Sequence, residues 1–558
     1  TSRHGGTAFG QPAGGGMNRR AGLLTQLRHQ SFDLLVIGGG IVGAGIARDG
    51  AMRGLRVALI DQGDFACGAS SKTSKLIHGG LRYLEHGQWR LVFESVRERH
   101  VLRTIAPQLV WPLTISIPIY RGDSRSRGKI ALGLGLYDVL SLHRGLGPHR
   151  MRSAREIVRQ DPGLNPAGLR GAGSYLDCQM DDARLCLTNI VQAVSFGAVC
   201  GNYVRLRSFL RHDDRLIGAV VEDLRSSQSF EVRARAVVNA TGPWSDRVRR
   251  LSDPDAPTRL NPTKGIHVIL PRLPPQALFF QARRDGRMIF LLPWGAYSLL
   301  GTTESGDVGE LDALRASHDE VEYLLEEVSR VVPEARKCVR ESGIIGTFAG
   351  ARPLLAFAGS STRASREHRL EIDRYGLVSI MGGKYTTYRL MAQQTLDAVV
   401  TRFRFKAERC LTDQVGLLEP VHPVILGRWQ EVTARIDPAL LARLLIRYGT
   451  GAFRILELIE FEPGLLQPVC PHHDLIQAEL VYAIREELAC TISDVLVRRT
   501  TIAYSACQGL DLLSTLTDLF HRYGHCTHAE LAEQVEQYQQ FLAASLACWP
   551  SPSSVVPV

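Results

Sequence analysis

The stretch that decides the fold is DLLVIGGGIVGAGIARDGAMRGLRVALID, residues 33–61. An apolar, β-branched run typical of a buried strand leads into Gly38-x-Gly40-x-x-Gly43, and helical spacing and a second apolar run follow. Such a turn lets the backbone approach a pyrophosphate, whose charge meets unpaired N–H groups at the helix N-terminus. Asp61 can accept hydrogen bonds from a ribose hydroxyl. The stretch predicts a dinucleotide-binding strand–helix–strand unit, and the motif alone leaves FAD and NAD open.

Two further glycine turns follow apolar strands far along the chain. One is AVVNATG, residues 236–242, and the other is LVSIMGGKYTTY, residues 377–388. A helix is predicted from about Thr386, with its positive end directed back at the nucleotide site. The loop GASSKTSKLIHGGLRYLE, residues 68–85, supplies small hydroxyl residues and donors just after the first unit. Three such turns and this loop suit one extended cofactor held by separate segments.

Composition and cysteine usage narrow the class of protein. The chain has 558 residues, 45% hydrophobic and 22% charged, which excludes a disordered or fibrous protein. Its 11 cysteines include no CxxC pair, and HRYGHCTH at residues 521–528 lacks a coherent ligand spacing, so we predict reduced thiols and no metal site. No run reaches the ~18 apolar residues that a membrane-spanning helix needs. Any membrane contact should therefore be peripheral.

The basic excess is concentrated in two segments. The net charge is +10, and arginine supplies nearly all of the basic residues, with only 7 lysines in the chain. Residues 1–32 carry four arginines and no acid, and residues 121–155 carry a net +6 around the apolar IALGLGLY. Basic residues flanking a short apolar stretch suit an anionic lipid surface. We predict a membrane-facing patch at 121–155; the alternative is a surface loop over a small core.

Seven motifs occur along the chain in the order found in one protein family. Together they resemble the FAD-dependent, respiratory and quinone-linked glycerol-3-phosphate dehydrogenases. They are IGGGIVGAGIARDGAMRGL, SKLIHGGLRYLE, DDARL, NATGPWSD, GTTE, GARPL and GGKYTTYR. AELVYAIREELACTISDVLVRRT, residues 478–500, resembles the C-terminal helical domain of that family. Glu304, Ile266 and Ala351 are mild departures from the family pattern. The resemblance covers about residues 30 to 545.

The resemblance implies an α/β fold with three parts. They are a Rossmann-like FAD-binding domain of the glutathione-reductase/D-amino-acid-oxidase type, an antiparallel-sheet substrate domain and a C-terminal helical domain. The boundaries we assign are about 31–105, 181–262 and 345–402 for FAD binding, 106–180 and 263–344 for the substrate- or membrane-facing part, and 403–548 for the helical domain. Residues 1–30 are predicted to be a disordered basic tail, with residues 1–16 read as an upstream artefact or as part of an organelle transit peptide, and 549–558 form a second tail.

The activity that the resemblance implies is oxidation of sn-glycerol 3-phosphate to dihydroxyacetone phosphate, with hydride transfer to FAD and electrons passed to a membrane quinone. Arg82 and Arg352 match the arginines that grip the phosphate, since a guanidinium fork fits phosphate bidentately. Tyr83 would add a hydroxyl donor, and Lys264 and His267 complete the substrate-binding set.

The catalytic set is His78, Arg82, Arg352 and Lys384. His78 is the first candidate for the base that accepts the C2 hydroxyl proton, and His267 is the next. Lys384 would stabilise negative charge on the reduced flavin. The residues expected to bind FAD are Gly38, Gly40, Gly43, Asp61, Ser70, Ser71, Ser74, Lys75, Gly79, Ala240, Gly242, Gly383, Lys384, Thr386 and Thr387.

The expected partners are sn-glycerol 3-phosphate, a membrane quinone and an anionic lipid surface, with no nucleic acid; a homodimer stays open. The expected location is the cytoplasmic face of the inner (plasma) membrane, or alternatively the mitochondrial inner membrane. Three alternatives remain. They are an amine or amino-acid oxidase of the same fold that uses O₂, an anaerobic relative with an iron–sulfur partner domain, and a flavin-containing RNA-binding protein.

Overall fold

The structure is a computed structural model of the chain. It describes residues 19–141, 144, 146–273, 276–306, 308–356, 367–418 and 429–549, with the side chains of Arg82, His86 and Gln430 excepted.

Seventeen of the nineteen described strands lie before residue 383, and one short pair lies near the C-terminus. In chain order they are β1 (Ser31–Ile37), β2 (Val57–Ile60), β3 (Leu76–Ile77), β4 (Val110–Tyr120), β5 (Arg150–Arg152), β6 (Leu169–Met180), β7 (Val199–Gly201), β8 (Val204–His212), β9 (Arg215–Asp223), β10 (Gln228–Asn239), β11 (Thr263–Pro271), β12 (Ala277–Gln281), β13 (Met288–Trp294), β14 (Tyr297–Gly301), β15 (Gly346–Arg352), β16 (His368–Ile372), β17 (Leu377–Gly382), β18 (Pro468–Cys470) and β19 (His473–Ile476).

The α-helices separate the strands and then dominate the last third of the chain. They are α1 (Arg19–His29), α2 (Ile41–Met52), α3 (Trp89–Ile105), α4 (Arg127–Ser141), α5 (Ala154–Gln160), α6 (Asp182–Ser195), α7 (Ser245–Ser252), α8 (His318–Val331), α9 (Glu334–Ser342), α10 (Tyr388–Phe403), α11 (Gln430–Thr433), α12 (Pro438–Tyr448), α13 (Ala452–Phe461), α14 (Gln477–Arg485), α15 (Leu513–Gly524) and α16 (His528–Leu546).

The first sheet has a parallel centre, as the opening strand–helix–strand motif predicts. Its strand order is β16-β17-β10-β1-β2-β7, and β8 and β9 extend it from β10. Ile37 at the end of β1 pairs with Asn239 at the end of β10, and Asn239 pairs with Ser379 in β17. Since these three strands run parallel, the three glycine turns that follow them lie side by side at one edge of the sheet.

Two glycines of the first turn are fixed by contact between backbone segments. A Cβ on Gly43 would lie 1.8 Å from the carbonyl oxygen of Gly38, because α2 packs directly on the turn. Gly38 has φ +109°, and a Cβ there would lie 2.6 Å from the carbonyl oxygen of Ala240. Only glycine fits both positions. These contacts join the first glycine turn to the second.

The second sheet is the predicted antiparallel substrate domain. Its order is β15-β11-β14-β13-β12-β4-β6-β3, with β5 paired to β6; every pairing is antiparallel except that of β12 with β4. Strands β3 and β15, which fall within segments assigned to FAD binding, also pair into this sheet. β15 pairs with β11 from Thr263–Arg352 to Ile269–Gly346, because its inward residues complete the core of this sheet.

Helices α11 to α16 and the small β18–β19 sheet form the predicted C-terminal helical domain. Its start differs from the predicted residue 403, because the segment after α10 packs on the first domain. There the N–H of Glu408 donates to the Arg53 carbonyl (3.0 Å), and the N–H of Leu417 donates to the Ile105 carbonyl (2.7 Å). The described part of this domain therefore begins at residue 429.

Buried ion pairs attach the helical domain to the nucleotide-binding unit. Arg498 and Arg499 both donate to Asp64, which follows β2 and is buried. Burial by itself would raise the pKa of Asp64, but the guanidinium groups of Arg499 and Arg498 lower it to about 2. The carboxylate is therefore charged at neutral pH and joins two domains.

The predicted disordered tail is wrong for residues 19–29. They form helix α1, whose Leu23 and Leu27 are buried and whose Arg20 forms a 2.6 Å ion pair with Asp223. The i, i+4 spacing of the two leucines gives the helix an apolar contact with the first sheet, which the glycine-rich composition obscured. Residues 1–18 and 550–558 of the two predicted tails lie outside the described residues. Among the described helices, none is long and apolar enough to cross a membrane.

Replacing Gly43 by alanine should destabilise the protein, because the new methyl group would overlap the Gly38 carbonyl. We expect the free energy of unfolding to fall by about 1–3 kcal/mol, measured by urea denaturation. Gly133→Ala is the matched control, since Gly133 also lies within a helix and a Cβ there has no atom within 4 Å. The control should be neutral or up to about 1 kcal/mol more stable. Equal stability of the two variants would contradict this account of the turn.

Candidate active site

A cavity of about 1000 Å³ lies between the two sheets. Its wall includes the three glycine turns, the loop after β2, the ends of β14 and β15, and residues of β12 and β13. The volume is at the upper end of the ~300–1,000 Å³ typical of small-molecule sites, as an extended cofactor plus a small substrate requires. The sequence analysis predicts this convergence of the glycine turns.

The nucleotide end of the cavity is built around Asp61 at the end of β2. Its two carboxylate oxygens accept hydrogen bonds from the N–H groups of Gly39 (2.6 Å) and Gly63 (2.8 Å). Burial raises the pKa of Asp61 to about 6. The side chain thus holds the glycine turn and keeps acceptor capacity at the cavity wall, where a ribose hydroxyl would bind.

The turn itself leaves room for a diphosphate. Gly38 and Gly40 line the cavity, as do Ala240 and Gly242 of the second turn. Ser70 also lines it, and its Oγ accepts from the Ile41 N–H (2.9 Å) at the start of α2. The cradle of small residues beside a helix N-terminus fits the pyrophosphate of a dinucleotide.

Lys75 lies behind the cavity wall. Its ammonium donates to the Ser71 carbonyl (2.7 Å) and pairs with Asp182 (2.7 Å). The same ammonium lies 5.5 Å from the ring centre of Trp294 and 5.2 Å from that of Phe348. These contacts join the first domain to the second sheet, so the lysine shapes the wall and does not face the cavity.

Other predicted cofactor residues support the wall in the same way. The residues behind it are Gly43, Ser71, Lys75, Gly79 and Thr387, and those that line the cavity are Gly38, Gly40, Asp61, Ser70, Ser74, Ala240, Gly242, Gly383, Lys384 and Thr386. Gly79 is one example: its N–H donates to the Tyr137 hydroxyl (3.0 Å) and to Asp177 (3.2 Å). Asp177 in turn forms a buried pair with Arg99.

His267 in β11 lies in the cavity wall opposite the loop after β2. Its Nε2 shares a 2.8 Å hydrogen bond with the Ser74 hydroxyl, and its ring stacks on Phe348 with the ring centres 4.9 Å apart. Burial, followed by the charges of Arg352 and Lys75, lowers the pKa of His267 well below its usual value. The imidazole is therefore neutral at physiological pH.

Arg352 brings a guanidinium to the same end of the cavity. It is the last residue of β15, and its Nη2 donates to the Thr302 hydroxyl (2.7 Å) and the Thr303 carbonyl (3.1 Å). A Cβ on Gly265 would lie 2.4 Å from that nitrogen, so glycine at this position of β11 makes room for the arginine. The structure therefore brings Arg352 and His267 together, as predicted for the substrate-binding set.

The third glycine turn brings Lys384 and His78 to the cavity. The Lys384 ammonium donates to the Ser95 hydroxyl (2.9 Å) and lies 3.8 Å from the centre of the Tyr83 ring. The backbone N–H of His78 donates to the Thr386 hydroxyl (3.2 Å), which joins the loop after β2 to this turn. His78, Tyr83 and Lys384 all line the cavity.

Two predicted substrate residues have a different outcome. Lys264 pairs with Glu320 (2.9 Å) and donates to the Arg315 carbonyl (3.3 Å), so its ammonium is directed to α8 and does not line the cavity. Arg82 lies in the 3₁₀ turn Leu81–His86, and its side chain lies outside the described residues.

Sequence reasoning missed several cavity residues. Thr302, Thr303 and Glu304 line the cavity. They belong to the GTTE motif, which supported the resemblance without receiving a role. Arg287 also lines the cavity, and Ser95 binds Lys384 from α3. No spacing in the sequence singles out these last two, because their position depends on how the sheet and α3 pack.

Family models cover nearly all of the described chain. The model of FAD-dependent oxidoreductases matches residues 33–389, and the model of the C-terminal domain of alpha-glycerophosphate oxidase matches residues 378–531. Their junction lies at β17 and α10, which the third glycine turn connects.

Relatives are similar over almost the whole length. The chain is 35% identical to a glycerol-3-phosphate dehydrogenase of Synechocystis, over 93% of this chain and 97% of that protein. It is 32% identical to the aerobic glycerol-3-phosphate dehydrogenase of Bacillus subtilis, over 86% of this chain and 88% of the relative. The human mitochondrial glycerol-3-phosphate dehydrogenase is 34% identical over 94% of this chain and 75% of its own.

Solved structures agree with the two-sheet architecture. The glycerol-3-phosphate dehydrogenase of Bacillus halodurans, solved with FAD, superposes with a TM-score of 0.77 at 25% identity, over 96% of this chain and 99% of that structure. Glycine oxidase of Geobacillus kaustophilus superposes with a TM-score of 0.52 at 21% identity over 70% of this chain, and so shares the fold of the first two domains. The chain belongs to the family of FAD-dependent glycerol-3-phosphate dehydrogenases.

Proposed function

We propose that the protein oxidises sn-glycerol 3-phosphate to dihydroxyacetone phosphate and passes the electrons to a membrane quinone. The observation that carries the substrate assignment is Arg352, whose guanidinium lines the cavity beside His267 and opposite the Ser74–His78 loop. Bound FAD would accept the hydride from C2 of the substrate. Substrate binding and removal of the C2 hydroxyl proton would be the tasks of this chain's own side chains.

Arg352 would bind the substrate phosphate. Its Nη2 is anchored by Thr302 and Thr303, so the guanidinium plane is fixed before substrate arrives. A preorganised guanidinium loses less entropy when it binds a dianion than a mobile lysine does. The phosphate end of the substrate would then lie near the ends of β14 and β15.

His78 remains our candidate for the proton acceptor. The two histidines of the cavity differ in environment, and the low pKa of His267 makes it a weak base. The neutral His267 can still orient the substrate by a hydrogen bond, and Ser74 fixes its ring. Proton transfer from the C2 hydroxyl to His78 would leave the electron pair of the C2–H bond to depart as hydride.

The membrane part of the proposal is supported by helices α3 and α4, which pack together. Their apolar side chains Trp89, Phe93, Leu132 and Val139 are exposed, Leu132 to 73% and Val139 to 64%. Exposed Arg127 and Lys129 lie at the start of α4. We call Trp89, Phe93, Leu132 and Val139 the α3–α4 patch. Apolar side chains beside cations suit shallow insertion into an anionic leaflet.

The predicted basic segment, residues 121–155, also contains an arginine whose hydrogen bonds stabilise the fold. Arg125 donates from two nitrogens to Glu85 (both 2.8 Å) and from a third to the Gly286 carbonyl (3.0 Å). It therefore contributes less to lipid binding than its charge suggests. We propose that the α3–α4 patch docks the protein on the cytoplasmic face of the inner membrane, where a quinone could reach the reduced enzyme.

The function is tested by product formation under anaerobic conditions. With sn-glycerol 3-phosphate and a short-chain ubiquinone, the purified holoenzyme should form dihydroxyacetone phosphate and quinol in equal amounts. Reduction of O₂ in air should be much slower than reduction of the quinone. Formation of hydrogen peroxide at the rate of substrate oxidation would assign the protein to the oxidases instead.

Replacing Arg352 by lysine should weaken phosphate binding. Lysine cannot bind the phosphate with two parallel N–H groups as arginine does. The change should therefore raise KM for sn-glycerol 3-phosphate by about 10–100-fold, the equivalent of ~1.5–3 kcal/mol for a charged hydrogen bond. Arg336→Lys, on a surface arginine paired with Glu322, is the control and should leave KM unchanged. An unchanged KM in Arg352→Lys would remove Arg352 from the phosphate site.

Variants of His78 and His267 should differ in how kcat depends on pH. Because His267 is neutral throughout the physiological range, it does not titrate there, and His267→Gln should keep the acidic limb of the kcat profile. His78→Gln should lose that limb and reduce kcat by about 10²–10⁴-fold, as removal of a general base does. The reverse pattern would make His267 the proton acceptor.

Membrane docking should depend on the α3–α4 patch. A Leu132→Asp/Val139→Asp variant should lose co-sedimentation with phosphatidylglycerol vesicles, because buried carboxylates oppose insertion. Phe196→Asp, at an exposed phenylalanine after α6, is the matched control and should bind as the unmodified protein does. Full binding by the double variant would show that docking uses another surface.

A further inference from the structure

A cluster of three side chains of the types that bind metals lies in the C-terminal domain. It contains Cys470, His473 and Cys507, whose two sulfur atoms and one ring nitrogen all lie within 4.8 Å of one another. Cys470 is buried, and the other two are half-buried. None of the three side chains lines the active-site cavity, and the descriptions of the matching families mention no metal.

The hairpin between β18 and β19 positions two of the three. Cys470 and His473 are cross-strand partners that flank the two-residue turn Pro471–His472. Cross-strand partners point to the same face of a hairpin, with Cβ atoms about 4.5–5.5 Å apart. A Cys-x-x-His sequence on such a turn therefore presents one sulfur and one imidazole to the same point.

The third side chain arrives from a distant loop. Cys507 follows the 3₁₀ turn Ile502–Tyr504, and its Sγ lies 3.4 Å from Nε2 of His473. Two ligands at the corners of a tetrahedral zinc site, with bonds of ~2.3 Å to sulfur and ~2.0 Å to nitrogen, lie about 3.5 Å apart. The observed separation thus matches the edge of a zinc tetrahedron.

The surroundings favour a cation. The Asp511 carboxylate contributes negative potential at both Cys470 and His473. The Ser505 hydroxyl lies 3.1 Å from Nε2 of His473 and 3.4 Å from the Cys507 sulfur, while it donates to the Ile502 carbonyl (2.7 Å). It can therefore hydrogen-bond a water molecule in the fourth position. Two thiolates and a neutral imidazole would neutralise a divalent ion.

We propose that Cys470, His473 and Cys507 bind one zinc ion, with a water molecule as the fourth ligand. This ligand set is borderline-soft and tetrahedral, which selects zinc over magnesium or calcium. The absence of CxxC pairs predicts no metal site, but that prediction does not cover this set, which joins a Cys-x-x-His hairpin to one distant cysteine.

The ion would fasten the hairpin to a loop that supports the active-site wall. In that loop the Ala506 N–H donates to the Tyr297 hydroxyl (2.7 Å), and the Tyr504 ring lies 5.8 Å from Phe348. Phe348 is the ring on which His267 stacks. The metal therefore belongs to the structure that holds the catalytic cavity, while the proposal itself does not depend on the substrate assignment.

The test uses untagged, full-length holoenzyme and Co²⁺ as a spectroscopic probe. Elemental analysis by plasma mass spectrometry should find one zinc per chain in the purified protein. After exchange, tetrahedral Co²⁺ with thiolate ligands should give intense ligand-field bands to the red of the flavin absorption. Cys470→Ser, His473→Gln and Cys507→Ser should each lose or strongly weaken these bands.

Two controls distinguish this site from other ligands in the chain. Cys338→Ser removes a half-buried thiol of α9, and His521→Gln alters the HRYGHCTH segment; both should keep the zinc and the Co²⁺ spectrum. Retention of the spectrum in the three cluster variants would overturn the proposal. So would absence of both zinc and stoichiometric Co²⁺ binding in the unmodified holoenzyme.

A second measurement covers variants that fail to fold. In the unmodified holoenzyme, zinc should protect Cys470 and Cys507 from iodoacetamide, and a chelator should expose both to alkylation, as read by peptide mass spectrometry. Equal labelling with and without chelator would contradict the site. A Cys470–Cys507 disulfide in protein purified without reductant would also contradict it, since the two sulfurs would then serve as a redox pair.

Discussion

The close contact between the first two glycine turns is the constraint on which the structure depends. The Gly43 Cα faces the Gly38 carbonyl, and Gly38 faces the Ala240 carbonyl, with no room for a side chain at either contact. This packing brings the carboxyl ends of β1 and β10 together and leaves the N-terminus of α2 open to the cavity. The third turn, at Gly382–Gly383, joins the same edge through the pairing of β10 with β17. A cofactor of extended shape can then contact three segments that lie far apart in the chain, between Gly38 and Gly383.

Buried charge pairs hold the other parts against this edge. Lys75–Asp182 joins the loop after β2 to α6, Arg389–Glu98 joins α10 to α3, and Asp64 with Arg499 joins the first domain to the helical domain. Removing one partner of such a pair leaves an uncompensated buried charge and typically costs about 3–5 kcal/mol. Several cations near the cavity are thus held in buried ion pairs that stabilise the fold. Arg352 and Lys384 are among the described cations that line the cavity, and they are our candidates to bind a phosphate and to stabilise a reduced flavin.

The sequence predicts the parts of the fold and site that local patterns encode. The first glycine motif, its acid Asp61 and the third turn at Lys384 all follow apolar strands, and their adjacency follows from the parallel sheet. Lys75 and Lys264 illustrate the limit, since lysine in a motif gives no direction for its ammonium, and packing turns both toward carboxylates. The helix at residues 19–29 was missed because its apolar side consists of three leucines in a segment that is otherwise mostly basic and polar.

Other features of the site depend on contacts between residues that are distant in the sequence, and no sequence spacing predicts them. Thr302 anchors Arg352 only because β14 and β15 both flank β11. Cys507 meets the Cys470–His473 hairpin only because the helical domain folds back on itself. The low pKa of His267 likewise depends on burial and on Arg352 and Lys75, which are distant in sequence. These features link the catalytic wall, through Phe348 and Tyr504, to the C-terminal domain.

The visible spectrum of the purified holoenzyme, recorded without oxygen, tests the central claim most directly. The account predicts flavin absorption bands that bleach when sn-glycerol 3-phosphate is added and that persist when glycine or proline is added. Bands that persist with sn-glycerol 3-phosphate, or that bleach with an amino acid, would contradict the assignment of this cavity to a phosphorylated alcohol.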